Sequence, residues 1–250
     1  EVKVFIVCRT TSEETTIKNT LTSSNITLDN IEFIIADNNS VWVRDYGPQC
    51  VYANDVDSLY FIDWIYNRPA RPKDNVIPDA IGAHMNIPVF STTEAPEDMV
   101  NTGGNFMSDG MGTAFASKLI LEENEPGNQY GTGPLDEAAI DAIAKSYMGI
   151  DNYLKMETLP YDLIHHIDMH MRLFDEETIL MGQYPQGISD GPQIEANLEY
   201  VLSNFNSTFG TPYKVVRLVQ PPEGNAYPSN GGDYRTYTNS VFINKTILIP

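Results

Sequence analysis

Positive charge, cysteine and long apolar runs are what this sequence has least of. Among 250 residues, 15 Lys and Arg stand against 34 Asp and Glu, a formal charge of −19. A polyanion such as DNA would be repelled over most of such a surface, which sets nucleic acid aside as a partner. Only Cys8 and Cys50 are present, which excludes a disulfide-dense mini-protein and a four-cysteine zinc site and leaves a single bridge between them open. No apolar stretch approaches the length of about 20 residues that spans a bilayer. Hydrophobic residues at 42% and aromatics at 10% are nevertheless ordinary for a globular chain, long enough to bury a sizeable core, so disorder is excluded as the main state. The acidity would also draw in cationic ligands, guanidinium compounds among them.

The chain opens on Glu1 and runs straight into the strand-like Val2–Val7, with no leader pattern before it, so an upstream segment is expected to have been removed. It closes on apolar stretches either side of Asn244-Lys245, which predict a hairpin, and a further segment is expected downstream. Cys8 and Cys50 border strand-like segments and are expected as buried, unreactive thiols. Ser12 followed by Glu13 and Glu14 predicts an N-cap, with Ile17 and Leu21 one helical turn apart beyond it. Strands are predicted over 31–35, 59–64 and 113–117. Helices are predicted over 135–147, with Gly149 beyond, and around Ile194, Leu198, Leu202 and Phe205. Strand pairs thus alternate with single helices at intervals of roughly 50 residues, the mark of an α/β repeat, with a propeller as one form of it. Pro126–Pro134 and Pro221–Gly232 are expected as long loops inside one domain covering residues 1–250.

Two segments are rich in chemistry. Trp42-Val43-Arg44-Asp45-Tyr46-Gly47-Pro48 packs an aromatic, a cation and a carboxylate before a Gly-Pro turn. It is open between a functional loop and a surface Arg44–Asp45 pair with Trp42 in the core. His165-His166-Ile167-Asp168-Met169-His170 holds three of the four histidines. If it is a strand, His166, Asp168 and His170 share one face. A metal site, an acid–base pair of His166 with Asp168, and a hydrogen-bonded polar strand all fit that pattern. Asn101-Thr102-Gly103-Gly104-Asn105 lacks the spacing of a phosphate-binding loop and is explained by turns between strands.

Taken in order, the Trp42–Pro48 segment, Tyr66-Asn67-Arg68-Pro69, Asn101–Asn105, His166-Ile167-Asp168 and Tyr237-Thr238-Asn239-Ser240 resemble the bacterial peptidylarginine deiminase family and its agmatine deiminase relatives, through nearly the whole chain. The resemblance implies a pentein fold, an α/β propeller of ββαβ units around a pseudo-fivefold axis, incomplete here in its last unit. It implies hydrolytic deimination without a cofactor or metal. A Cys thiolate attacks the guanidinium carbon, ammonia leaves, and water cleaves the thiouronium to a ureido product, so that peptidyl-arginine gives peptidyl-citrulline.

Carried over by position, Asp45 and Asp168 would be the carboxylates that grip the guanidinium, and His166 the proton-transfer group. Trp42 would pack on the substrate's aliphatic arm and Asn239 would line the pocket. Arg68 and Arg71 resemble the pair that holds a terminal carboxylate, although their spacing differs from the family's. Leu163 stands where the family favours Tyr. The expected partners are an arginine-containing peptide or a small guanidinium compound. No residue here matches the family's nucleophilic Cys, which is expected on a downstream segment or a second fragment, leaving residues 1–250 inactive alone. Agmatine or free arginine as substrate, and a non-catalytic guanidinium-binding pentein, are the alternatives. A secreted or cell-envelope location is expected from the processed start, and a cytoplasmic one if the protein is of the agmatine type.

Overall fold

Three times along the chain, two antiparallel strands are followed by a helix and then by a strand that pairs parallel to the second. Antiparallel neighbours need only a short turn, whereas a parallel neighbour needs a crossover, and the helix supplies it. The computed structural model describes residues 2–224, 227 and 234–250, which cluster into two units, Glu1–Val100 and Asn101–Pro250. The predicted loop Pro221–Gly232 lies largely outside the described residues.

In the first unit, β1 (Val4–Cys8), α1 (Thr11–Ser23) and β2 (Ile31–Ile35) form a parallel pair with its crossover, Val4 opposite Ile31 and Cys8 opposite Ile35. The N-cap of α1 is Thr10 rather than Ser12. Thr10 Oγ1 accepts from Glu13 N at 3.1 Å while the Glu13 carboxylate accepts from Arg9 N at 2.7 Å, which fixes the helix start two residues earlier. After α2 (Val43–Tyr46) comes the first complete repeat: β3 (Gln49–Ala53), β4 (Ser58–Tyr66), α3 (Ile77–Met85) and β5 (Val89–Thr92). β4 is central, antiparallel to β3 and parallel to β5. Tyr46, Tyr66 and Ile77 form a buried cluster against Val7, Ala36 and Ile81.

The two units meet in sequence at β6 (Val100–Asn101). In the second unit, β7 (Met107–Ser108) and β8 (Thr113–Ser117) are followed by the short α4 (Leu119–Glu123), then by α5 (Glu137–Met148) and β9 (Asn152–Met156). β10 (Met171–Leu173), β11 (Thr178–Gln183), α6 (Gly191–Asn204) and β12 (Lys214–Val219) repeat the arrangement. β13 (Val241–Ile243) and β14 (Thr246–Leu248) form the expected hairpin, with Asn244 at φ 53° in its turn. α5 starts two residues after Leu135. Asp136 caps it, its side chain accepting from Ala139 N at 2.9 Å, and Gly149 ends it at φ 68°. Its buried stripe is Ile140, Ile143, Ala144 and Met148. Phe115, Met156, Met181 and Ile194 lie in the main core of this unit together with Ile167, which belongs to the turn that carries His166 and Asp168.

No helix of the described residues is long and apolar enough to cross a membrane. Both cysteines are free. Cys8 is buried as expected, but Cys50 is exposed, because it falls with Tyr52 on the outward face of β3 while Val51 points the other way.

Candidate active site

The first unit holds four of the sequence-predicted residues, and three of them, Asp45, Arg68 and Arg71, act on one of two paired tyrosines. Asp74, fully buried, accepts from Asn39 N at 2.6 Å, Ser40 N at 3.1 Å and Ser40 Oγ at 2.6 Å, which pins the chain entering α2. Tyr46 donates its hydroxyl back to Ser40 O at 2.9 Å, closing the loop on itself. At the far end of α2, a Cβ on Gly47 would stand 2.4 Å from Val43 O, so only glycine permits this tight exit. Asp45 is carried by that short helix, half-buried.

The rings of Tyr46 and Tyr66 meet edge to face at 5.7 Å. Burial pushes the Tyr46 hydroxyl up to about 12, helped by the charges of Asp74 and Asp45. Tyr66 is raised by burial first and then by Asp45, and drawn back by its hydrogen bond from Arg71 and by the charges of Arg71 and Arg68. Asp45, Arg68 and Arg71 therefore act on the same phenol. Arg71 Nη1 donates to Tyr66 OH at 3.3 Å and Arg68 Nη1 to Asn67 O at 2.9 Å, both neutral acceptors. Trp42 is 55% exposed, so the alternative in which it fills the core is overturned.

The second unit holds the other three. The segment 165–170 is not a strand. His165 sits at φ 56° and residues Ile167–Met169 form one 3-10 turn with His166 as its N-cap, so the face-sharing by alternation drawn for His166, Asp168 and His170 does not hold. The cause is tertiary. Ser117 Oγ donates to His165 O at 2.6 Å, and Ser117 is bracketed by Asn105, whose Oδ1 accepts from Ser117 N at 2.9 Å and whose Nδ2 donates to Ser117 O at 3.3 Å. The Gly103–Asn105 turn is thus part of the scaffold of the histidine segment.

His166 and Asp168 come out on the same turn, 4% and 2% exposed. Burial next to a low-dielectric core strengthens whatever charge or hydrogen bond a ligand brings to them. His170 is buried without a partner for either ring nitrogen among the described residues, and burial alone lowers it to about 4, so it is neutral at physiological pH. Asn239 lies next to Thr238, whose Oγ1 donates to Asp168 O at 3.3 Å. The Asn239 segment is therefore tied to the turn. Gln220, which the sequence reading passed over, donates from Nε2 to Met169 O at 2.9 Å and to Thr238 Oγ1 at 3.0 Å. Among the described residues no cluster of three or more His, Cys, Asp or Glu is placed to hold a metal ion.

The sequence profile of the family described as Porphyromonas-type peptidyl-arginine deiminase matches residues 1–250. A Mycoplasma capricolum protein provisionally named an agmatine deiminase is 24% identical over 210 residues, 79% of this chain and 54% of its own length. The chain thus spans about half the length of the curated relatives it matches. Among solved structures, a provisionally named arginine deiminase of Porphyromonas gingivalis superposes with a TM-score of 0.76 at 22% identity, over 99% of this chain and 71% of that one. The agmatine deiminase of C. jejuni gives 0.72 at 22% identity, over 99% of this chain and 67% of that one. It has also been solved as a Cys-to-Ser variant with substrate bound. At these identities the structural likeness shows the α/β fold.

Proposed function

This chain belongs to the Porphyromonas-type peptidyl-arginine deiminase family of guanidine-modifying hydrolases, and from that premise we propose that it serves hydrolysis of a guanidinium C–N bond, with Asp168 and His166 as its working groups. The observation that carries the reading is the buried 3-10 turn that presents a carboxylate and an imidazole two residues apart, with the Asn239 segment tied to it. A carboxylate is shaped to take two parallel N–H bonds from a planar guanidinium, which orients the carbon for attack. An imidazole beside it can protonate departing ammonia and then deprotonate the water that cleaves the intermediate. Asp45 is given the role of a second carboxylate on the substrate, and its contribution is read from its own variant.

Neither cysteine of this sequence is suited to the nucleophilic step. Cys8 is buried and its thiol raised, by burial first and then by Glu13 and Glu14, and the Cys50 thiol is raised by desolvation. A raised thiol is little ionised at neutral pH. The reading therefore assigns the thiolate to a cysteine outside residues 1–250. That the C. jejuni protein was solved with substrate as a Cys-to-Ser variant supports a cysteine as the reacting group.

A small guanidinium amine of the agmatine kind is the substrate the named relatives support. Peptidyl-arginine is the second reading. It is favoured by the Arg68 and Arg71 guanidiniums, whose hydrogen bonds among the described residues go to the neutral oxygens Asn67 O and Tyr66 OH. The test is ammonia release by the intact protein from agmatine, free arginine and a peptide ending in arginine. His166→Ala should lower turnover by about 10²–10⁴-fold, and Asp168→Asn and Asp45→Asn should each weaken it through loss of a charged hydrogen bond. Turnover that survives all three changes would sink the proposal. Guanidinium binding with no ammonia released would show the non-catalytic alternative instead.

A further inference from the structure

Gln220 directly follows β12 and is fully buried. Its amide joins two segments far apart in sequence. Nε2 donates to Met169 O at 2.9 Å and to Thr238 Oγ1 at 3.0 Å, so both amide protons are used. Thr238, equally buried, passes its own hydroxyl proton to Asp168 O at 3.3 Å. One side chain thereby holds two successive carbonyls of the turn bearing His166 and Asp168, together with the neighbour of Asn239. Carbonyls at the end of a single 3-10 turn have no intrahelical donor, so their partners must come from elsewhere in the fold.

The seat is built for this amide. A Cβ on Gly182 of β11 would stand 2.7 Å from Gln220 Cδ and 2.8 Å from Nε2 and Oε1, so only glycine lets the amide lie there. Its orientation is fixed, because reversing it would set Oε1 against Met169 O, acceptor against acceptor. Oε1 itself is buried with no donor among the described residues. Leaving a buried acceptor unmet is costly, and an apolar side chain of the same length would avoid it at Oε1 only by taking the donor from Met169 O. What the glutamine supplies is thus a pair of donors aimed at the turn and at Thr238.

We propose that Gln220 is a positioning residue for the guanidinium chemistry: through Met169 and Thr238 it sets where the Asp168 carboxylate and the Asn239 amide stand. This rests on the reading of the His166–Asp168 turn as the reacting one.

The experiment uses the intact protein with Gln220→Met, similar in length but without donors, and Thr238→Val, similar in shape but without the hydroxyl. Steady-state kinetics on guanidinium substrates and amide hydrogen exchange are read on each. Gln220→Met should lower kcat/KM on the order of 10²-fold, the scale of a misplaced reacting group. Exchange should quicken at Met169, His170 and Ser240 while α5 and α6 keep their protection, and Thr238→Val should follow the same pattern more weakly. Gln220→Glu should regain activity as the pH is lowered and its acid becomes a donor, a dependence that a packing role would not produce.

Unchanged kinetics in both Gln220→Met and Thr238→Val, or exchange that quickens equally in α5 and α6, overturns the proposal. If Gln220→Met does not fold, Thr238→Val decides by the same two readouts. If the wild-type protein releases ammonia from no guanidinium compound, the function reading falls, and the exchange data still decide whether Gln220 holds the turn.

Discussion

A carboxyl group in the middle of a sheet loses more hydration than a few hydrogen bonds return, and Asp63 is in that position on β4, 6% exposed between β3 and β5. Burial first, and then the charge of Asp79, push its pKa up to about 7, against smaller help from the Trp64 backbone and Ser91. An acid raised on folding is neutral in the native chain over a range where the unfolded chain is already ionised. The unfolded state then binds fewer protons, so stability falls as pH rises from about 4 to about 7 and is level above. Asp63→Asn removes this slope. The variant should be the more stable at neutral pH, by up to roughly 4 kcal/mol, and should match wild type near pH 4. Hydrogen exchange of β4 and β5 amides across that range checks it, and equal slopes in the two proteins would count against the assignment.

At the scale of single elements, what could be seen in advance was what is encoded locally. The stripe of Ile140, Ile143 and Ala144, with Asp136 before it and Gly149 after it, defines α5 whatever the rest of the chain does. Asp136→Ala should therefore cost about 1 kcal/mol, the usual worth of an N-cap carboxylate, as a lower urea midpoint with an unchanged slope. A loss much smaller would show that the Asp136 to Ala139 bond adds little to the helix. The start of α1 was missed by two residues because Thr10 and Ser12 are equally good caps, and the choice was made by Glu13 reaching back to Arg9 N. The turn at 165–170 was beyond local reasoning altogether. Alternating His and Asp fits a strand, and what bends it is Ser117 holding His165 O, 48 residues away in sequence. Gln220 carried no signal either, since a glutamine at the end of an apolar strand looks like a surface residue until Thr238 and Met169 are seen against it.

For the molecule as a whole, the recurrence of strand pair, helix and parallel strand was legible in the roughly 50-residue spacing of the apolar segments, because each repeat must supply its own crossover. Within the second unit the Asn239 segment is tied to the turn of His166 and Asp168, and within the first Asp45, Arg68 and Arg71 act on one phenol. The single guanidinium grip by Asp45 and Asp168 that the motif resemblance implies is what the Asp45→Asn and Asp168→Asn variants test. The remaining global property is charge. A net −19 spread over 250 residues gives a field that attracts cations from beyond contact distance and is screened within about 10 Å at 0.1 M salt. Agmatine carries two positive charges and a peptidyl arginine side chain one, so the field raises the encounter rate of the diamine more. The kcat/KM of the intact protein for agmatine should therefore fall more steeply than that for a peptidyl arginine as NaCl is raised from about 10 to about 200 mM, a range that shortens the Debye length from about 30 to about 7 Å. The difference should lie in kcat/KM rather than in kcat, because screening acts on approach and not on the bound complex. Parallel salt dependences for the two substrates would mean that the acidity serves only to keep the protein in solution.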